Sequence, residues 1–244
     1  MKTSQTLTEL KQENKKLRQE IQTQHEFLAT STHDLRTPLT TALLAVQMLK
    51  NSKEPQKNKM YFEYLESSLN RLQELTDTFF EIQKYELGLV ELQREKIDLN
   101  SFLTEIHARY SSLLSEKSLV FSFENKIKTK KVFIKIDQSR IQQVLENLIG
   151  NAIKFVPKKS KIILRTGILD NQVRICVIDS GCGIPTEEKK KIFQKFISND
   201  KNKKGAGLGL HICKKIIELH KGKIWCENNS KGKGAVFCIL LPVK

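Results

Sequence analysis

The chain has 244 residues, with 42 Lys+Arg against 27 Asp+Glu and a formal net charge of +15. Its 39% hydrophobic and 28% charged residues describe a globular protein of one large or two ordinary domains and exclude a disordered one. The best apolar run, 235–241, is far short of the roughly 18–20 residues that cross a bilayer, and no secretory-type stretch follows the N-terminus.

These features predict a cytoplasmic chain, or the cytosolic piece of a longer one. The lysines are scattered through both halves, and no aromatic stacking platform accompanies them, so nucleic acid is not the expected partner. A basic surface also suits a polyphosphate or an acidic protein face. Cys176, Cys182, Cys213, Cys226 and Cys238 form no C-x-x-C pair and have no histidine at zinc-ligand spacing. Reduced thiols, mostly in strands, are expected, without a disulfide framework or a structural metal.

In chain order, residues 1–88 hold a single glycine, Gly88, and read as helices. Leu7, Leu10, Asn14, Leu17, Ile21, Gln24 and Leu28 alternate at spacings of three and four, as on a coiled-coil seam. The seam continues through Leu35, Ala42, Ala45 and Leu49 and breaks at 51–55. A second amphipathic run follows, with Leu65, Leu69, Leu72, Leu75, Phe79 and Ile82. Two such helices close a core poorly alone, and two copies make a four-helix bundle, so a homodimer is predicted. Beyond residue 88 the pattern alternates. Strands are expected at 119–123, 132–136, 161–169, 172–178, 223–227 and 235–241, and helices at 140–155, 187–196 and 208–219. Asp170-Asn171 joins two of the strands as a hairpin. This mixture predicts an α/β sandwich with helices on one face of the sheet.

Several clusters carry chemistry. On the heptad count His33 falls at an outward f position, with Asp34 adjacent to hold one ring nitrogen and Thr37 one turn further on. Pro38 removes an amide from that helix and makes it locally deformable. In 143–155, Asn147 and Asn151 share a helix face at i, i+4, and Lys154 follows. Amide oxygens can hold Mg²⁺ beside phosphate oxygens, and a lysine can meet phosphate. Asp179 opens a glycine loop containing Gly181 and Gly183; its carboxylate can accept from an exocyclic amine such as adenine's. Gly205, Gly207 and Gly209 precede a helix, whose N-terminal amides suit phosphate. Phe193 and Phe196 lie between the two loops.

In order and approximate spacing, residues from about 24 to the end resemble the transmitter core of a bacterial two-component sensor histidine kinase. The stretch 33–38 resembles the phosphoacceptor motif and 147–154 the asparagine box. The stretch 179–183 resembles the first glycine box, 193–196 the phenylalanine box and 205–209 the second glycine box. Asp137 and Arg140, and Gly232-Lys233-Gly234, are smaller echoes. The resemblance implies a coiled signalling helix at 1–24, a dimerisation and phosphoacceptor domain at 25–90, and a Bergerat-type (GHKL) ATP-binding domain at 96–244. It implies Mg²⁺-ATP as cofactor, with the metal at Asn151 and Asn147, Lys154 on phosphate and Asp179 on adenine.

His33 would accept the γ-phosphoryl group, with Asp34 as orienting base, and pass it to an aspartate of a response-regulator receiver. Thr37 would place water for dephosphorylating that regulator. An upstream sensor protein docking on the N-terminal coil is a further expected partner. Two departures stand out: a short segment between the phenylalanine and second glycine boxes, and His211, expected in the lid or on the surface. His25, His107 and His220 are expected to be structural or solvent-facing. The rival readings are a hydrolytic ATPase of the same superfamily and a dimeric scaffold with little activity. The first needs a glutamate where Asn147 stands.

Overall fold

The computed structural model describes residues 2–243 except 128, 130, 196, 198–206, 231 and 232; within the first helix it describes backbone alone for 2–11, 16, 19, 20, 23, 24, 26–28 and 30. Two compact units follow one another, a helical one up to Gln83 and an α/β one from Lys84.

The helical unit consists of α1 (Lys2–Asn51) and α2 (Pro55–Glu86). The junction is short because Pro55 supplies a preset φ at the first helical position, and the Ser52 hydroxyl accepts from the Glu54 amide. The two helices form a hairpin. Ala42 and Ala45 of the expected seam are buried, as are Ser68, Leu75 and Ile82, spaced seven apart along α2. Leu17 and Ile21 are exposed in the single chain; Leu7, Leu10, Gln24 and Leu28 of the same seam lie outside the described side chains. Around Pro38, the hydroxyls of Thr37, Thr40 and Thr41 donate to the carbonyls of His33, Arg36 and Thr37, a pattern that bends helices.

The second unit runs β1 (Glu95–Asp98), α3 (Leu99–Glu116), β2 (Val120–Asn125), β3 (Phe133–Ile136), α4 (Gln138–Phe155), β4 (Lys161–Leu169) and β5 (Gln172–Ile178). It continues with α5 (Gly209–Leu219), β6 (Lys223–Asn228) and β7 (Ala235–Pro242). The main sheet has the order β2-β4-β5-β7-β6, parallel only at β2–β4, while β1 and β3 form a separate antiparallel pair. The hairpin at Asp170-Asn171 forms as expected: both residues have positive φ, 48° and 58°, as a two-residue type I′ turn requires.

Alternation along the strands gives each sheet face a separate task. Ile162, Leu164, Val173, Ile175 and Val177 are buried with Ile141, Leu145, Leu148 and Ile149 of α4 and Ile212, Ile216 and Ile217 of α5. On the other face Cys176, Ile178 and Cys238 form a small cluster with Ile163, Trp225 and Val236. Beside it Arg165 Nε donates to Glu124 across β2 and β4 at 2.9 Å; that bond, with the guanidinium charge, holds the Glu124 carboxyl below its usual range.

Two expectations are corrected. Cys176 and Cys238 are joined in a disulfide rather than being reduced thiols. The antiparallel register of β5 and β7 sets them directly opposite each other, with Cα atoms 4.1 Å apart. Cys182, Cys213 and Cys226 are free thiols. The helix expected at 187–196 is a series of turns: Glu188, Lys191 and Gln194 donate to carbonyls three residues back, and only Ile192 makes an α-type bond. Its sole buried apolar residues among those described, Ile192 and Phe193, are adjacent, so no apolar stripe supports a helix there.

Candidate functional site

The residues singled out above fall in both units. In the helical unit His33 lies on the exposed side of α1, its side chain 63% accessible, consistent with the outward f position. Its Nδ1 stands 3.3 Å from Asp34 Oδ1, the neighbouring carboxylate being more enclosed. That contact favours the tautomer with hydrogen on Nδ1 and a free lone pair on Nε2. One turn on, Thr37 Oγ1 donates to the His33 carbonyl at 3.3 Å. Pro38 has no amide for the carbonyl of Asp34, so the acceptor turn lacks one helical bond.

In the α/β unit the remaining residues lie on α4, on the loop after β5 and at the start of α5. Asp137 caps α4: its carboxylate accepts from the Arg140 and Gln93 amides and the Ser139 hydroxyl at 2.8–3.1 Å. Burial alone would raise its pKa, but these three donors outweigh burial and hold it low. The Asp137 amide in turn donates to Nε2 of buried His220, whose Nδ1–H donates to the Ile216 carbonyl. His220 is therefore neutral, its pKa pushed down by burial.

The capped helix presents Asn147 and Asn151 half-buried on one face and Lys154 exposed beyond them, its Nζ 5.4 Å from the centroid of the Phe155 ring. Gly209 opens α5 directly against Asn147: a Cβ there would come within 2.2 Å of Asn147 Oδ1. Only glycine permits that approach. Gly207, before it, has φ +65°. Phe193 is buried edge-on against Phe237, and its carbonyl accepts from His211 Nδ1 at 3.2 Å. His211 is thus half-buried rather than a surface residue, and burial lowers its pKa. Phe196 and Gly205 lie outside the described residues.

The first glycine loop is tied from within. Asp179 is buried, and its Oδ1 accepts from the Gly181 and Ala235 amides at 2.8 and 3.0 Å, which fixes the carboxylate. A Cβ on Gly181 would meet the Phe155 carbonyl at 2.8 Å, and one on Gly234 the Asp179 carbonyl at 2.0 Å. Gly183 has φ +77°. Thus Gly181 packs on Phe155 and Asp179, Gly234 packs on Asp179, and Gly209 packs on Asn147, earlier in the same helix as Phe155. The contributions of Gly234 and Ala235 depend on the pairing of distant segments. The Gly232-Lys233-Gly234 echo was their only visible signal.

As donors for a metal, Asn147 and Asn151 offer two amide oxygens, and among the described residues no group of three or more His, Cys, Asp or Glu could hold an ion. Hard oxygen donors with the remaining ligands supplied by phosphate suit Mg²⁺.

A family model described as histidine kinase-, DNA gyrase B- and HSP90-like ATPase matches residues 136–244, and a His Kinase A (phospho-acceptor) domain model matches residues 23–88. The chain belongs to the two-component sensor histidine kinases, as their transmitter core. It is 32% identical over 253 residues to the adaptive-response sensory kinase SasA of Crocosphaera subtropica, covering 100% of this chain and 65% of that protein. The chain thus spans about two thirds of the length of that relative. Among solved structures, the histidine kinase ThkA in complex with the response regulator TrrA superimposes with a TM-score of 0.74 at 31% identity, covering 96% of this chain and 66% of the other. Full-length ShkA in complex with AMPPNP gives 0.68 at 25% identity, over 89% of this chain and 45% of the other. For this histidine kinase core, no helix among the described residues is long and apolar enough to cross a membrane.

Proposed function

We propose that this transmitter core transfers the γ-phosphoryl group of ATP to Nε2 of His33 and then to an aspartate of a response regulator. The observation that carries the reading is the exposed imidazole of His33, with Asp34 on Nδ1, in the same chain as a glycine-lined site headed by a fixed carboxylate, Asp179. In the first step the Nε2 lone pair attacks the γ-phosphorus as the bond to the β–γ bridging oxygen breaks. ADP leaves, and the Nδ1 proton passes to Asp34 or through it to water. Such transfer is driven by positioning and charge neutralisation.

With Oδ1 committed to two amides, Asp179 has Oδ2 for the adenine amine. Lys154 and the amides opening α5 meet phosphate oxygens. Gly207 and Gly209 let the backbone approach them, and Phe193, edge-on against Phe237, holds its own turn in place. A bound Mg²⁺ would neutralise phosphate charge; Asn151, one turn beyond the crowded Asn147, is its more accessible ligand. Thr37 orients water for dephosphorylating the regulator once its hydroxyl leaves the His33 carbonyl. Leu39, Leu43, Leu44, Met48, Phe62 and Leu69, exposed on the hairpin, support assembly as a homodimer. The hydrolytic alternative lacks its carboxylate, because Asn147 cannot act as a base.

Incubation with radiolabelled ATP and Mg²⁺ tests this proposal. The expected label is stable to alkali, lost in acid and absent from His33→Gln. Free phosphate released with no labelled chain would overturn it.

A further inference from the structure

The side chain of Asn228, the last residue of β6, lies beneath the first glycine loop and makes two hydrogen bonds to one residue of it. Asn228 Oδ1 accepts from the Ile184 amide at 2.8 Å, and Nδ2 donates to the Ile184 carbonyl at 2.9 Å. A carboxamide thereby imitates a neighbouring strand and satisfies both backbone groups of a loop residue. The adjoining Gly183 packs on the same amide: a Cβ there would meet Asn228 Oδ1 at 3.2 Å. Asn229, next in the chain, donates its amide to the Gly234 carbonyl; Gly234 lies against the Asp179 carbonyl, and the Asp179 amide donates to the Ala235 carbonyl. The turn between β6 and β7 therefore holds both ends of the loop, Asp179 through Gly234 and Ala235, and Ile184 through Asn228.

We propose that Asn228 is a positioning residue for nucleotide binding: it fixes the far end of the first glycine loop so that Asp179 and Gly181–Gly183 keep a single shape around the adenine end of the ligand. This rests on the nucleotide site proposed above. Other interpretations of this amide are weaker. Asn228 is exposed, so it contributes little to the core, and it makes both of its bonds to one loop residue rather than to its own strand. Neither of two other groups accounts for the hold on Ile184. Among the described residues the Asp179 carboxylate accepts from Gly181 and Ala235, and the Cys182 thiol turns to the Gly183 carbonyl.

The test uses the full chain and ATP. Asn228→Ala removes both bonds and is expected to raise the KM for ATP about tenfold while kcat for His33 labelling stays within about twofold. A role limited to stability would lower the active fraction, and so kcat, without changing KM. Hydrogen exchange of the unliganded protein provides an independent reading: the Ile184 amide is expected to exchange faster in Asn228→Ala, with the amides of β4 and β5 unchanged. If Asn228→Ala does not fold, Asn228→Asp retains the acceptor for the Ile184 amide and loses the donor, and an intermediate KM is expected. A KM equal to the native value in the folded variant would overturn the proposal. If the native chain itself bound no ATP, the nucleotide-site reading would fail first, and the role of Asn228 with it.

Discussion

The two units solve the problem of burial differently. In the α/β unit α4 alone completely encloses Ile141, Leu145, Leu148 and Ile149, and the sheet beneath it encloses Ile162 and Leu164. In the hairpin the described buried side chains are few and mostly small or widely spaced: Pro38, Ala42 and Ala45 on α1, and Ser68, Leu75, Ile82 and Tyr85 on α2. Leu43 and Phe62, about 60% exposed there, are the kind of side chain that the α/β unit keeps inside. The difference teaches that one unit has a core of its own and the other has half a core. Stability of the first should depend on single residues. Stability of the second should depend on concentration.

The largest effect that can break this contrast comes from two leucines of opposite setting. Leu148→Ala is expected to cost the α/β unit about 2–5 kcal/mol, read from its denaturant midpoint, at any protein concentration. Leu43→Asp should leave that midpoint unchanged and convert the dimer to monomer in sedimentation at micromolar concentration. If Leu43→Asp left the mass unchanged, the half-core description would be wrong. Next in size is Gly209→Ala, whose methyl group displaces Asn147; overpacking of this kind costs about 1–3 kcal/mol and should appear as weakened nucleotide binding with the hairpin unaffected.

The smallest effect is on pH dependence. His211 and His220 are both held below the ordinary value of 6.5 by burial. Each adds stability that is complete above about 6.5, where the unfolded imidazole is also neutral, and lost as pH falls through the depressed folded value. The α/β unit should therefore lose stability as pH falls below about 6.5, and His220→Gln should flatten that slope. The Asp137 carboxyl, depressed from 3.8, acts only at more acidic pH and does not blur the comparison.

Much of this was legible in the sequence because it is local. The outward position of His33 followed from the heptad count, and the 161–178 hairpin from two β-rich runs around Asp170-Asn171. The helix α3 was equally local but went unread, although Asp98 caps it and Leu99, Phe102, Leu103 and Ile106 mark its buried face. Other features depend on pairings between distant segments. Cys176 meets Cys238 only because β5 and β7 are neighbours in one particular register. Asn228 meets Ile184 only because β6 ends below that loop. The turns at 187–195 show tertiary packing prevailing over helical propensity: Phe193 settles against Phe237 and the Cys226 thiol reaches the Lys189 carbonyl.

The bond between Cys176 and Cys238 has one more consequence. It closes a covalent ring, with a sequence separation of 62, that contains Asp179, both glycine boxes and all of α5. A protease that cuts once at the exposed Lys190 would leave a chain of undiminished mass, and its two pieces would part only when a reductant was added.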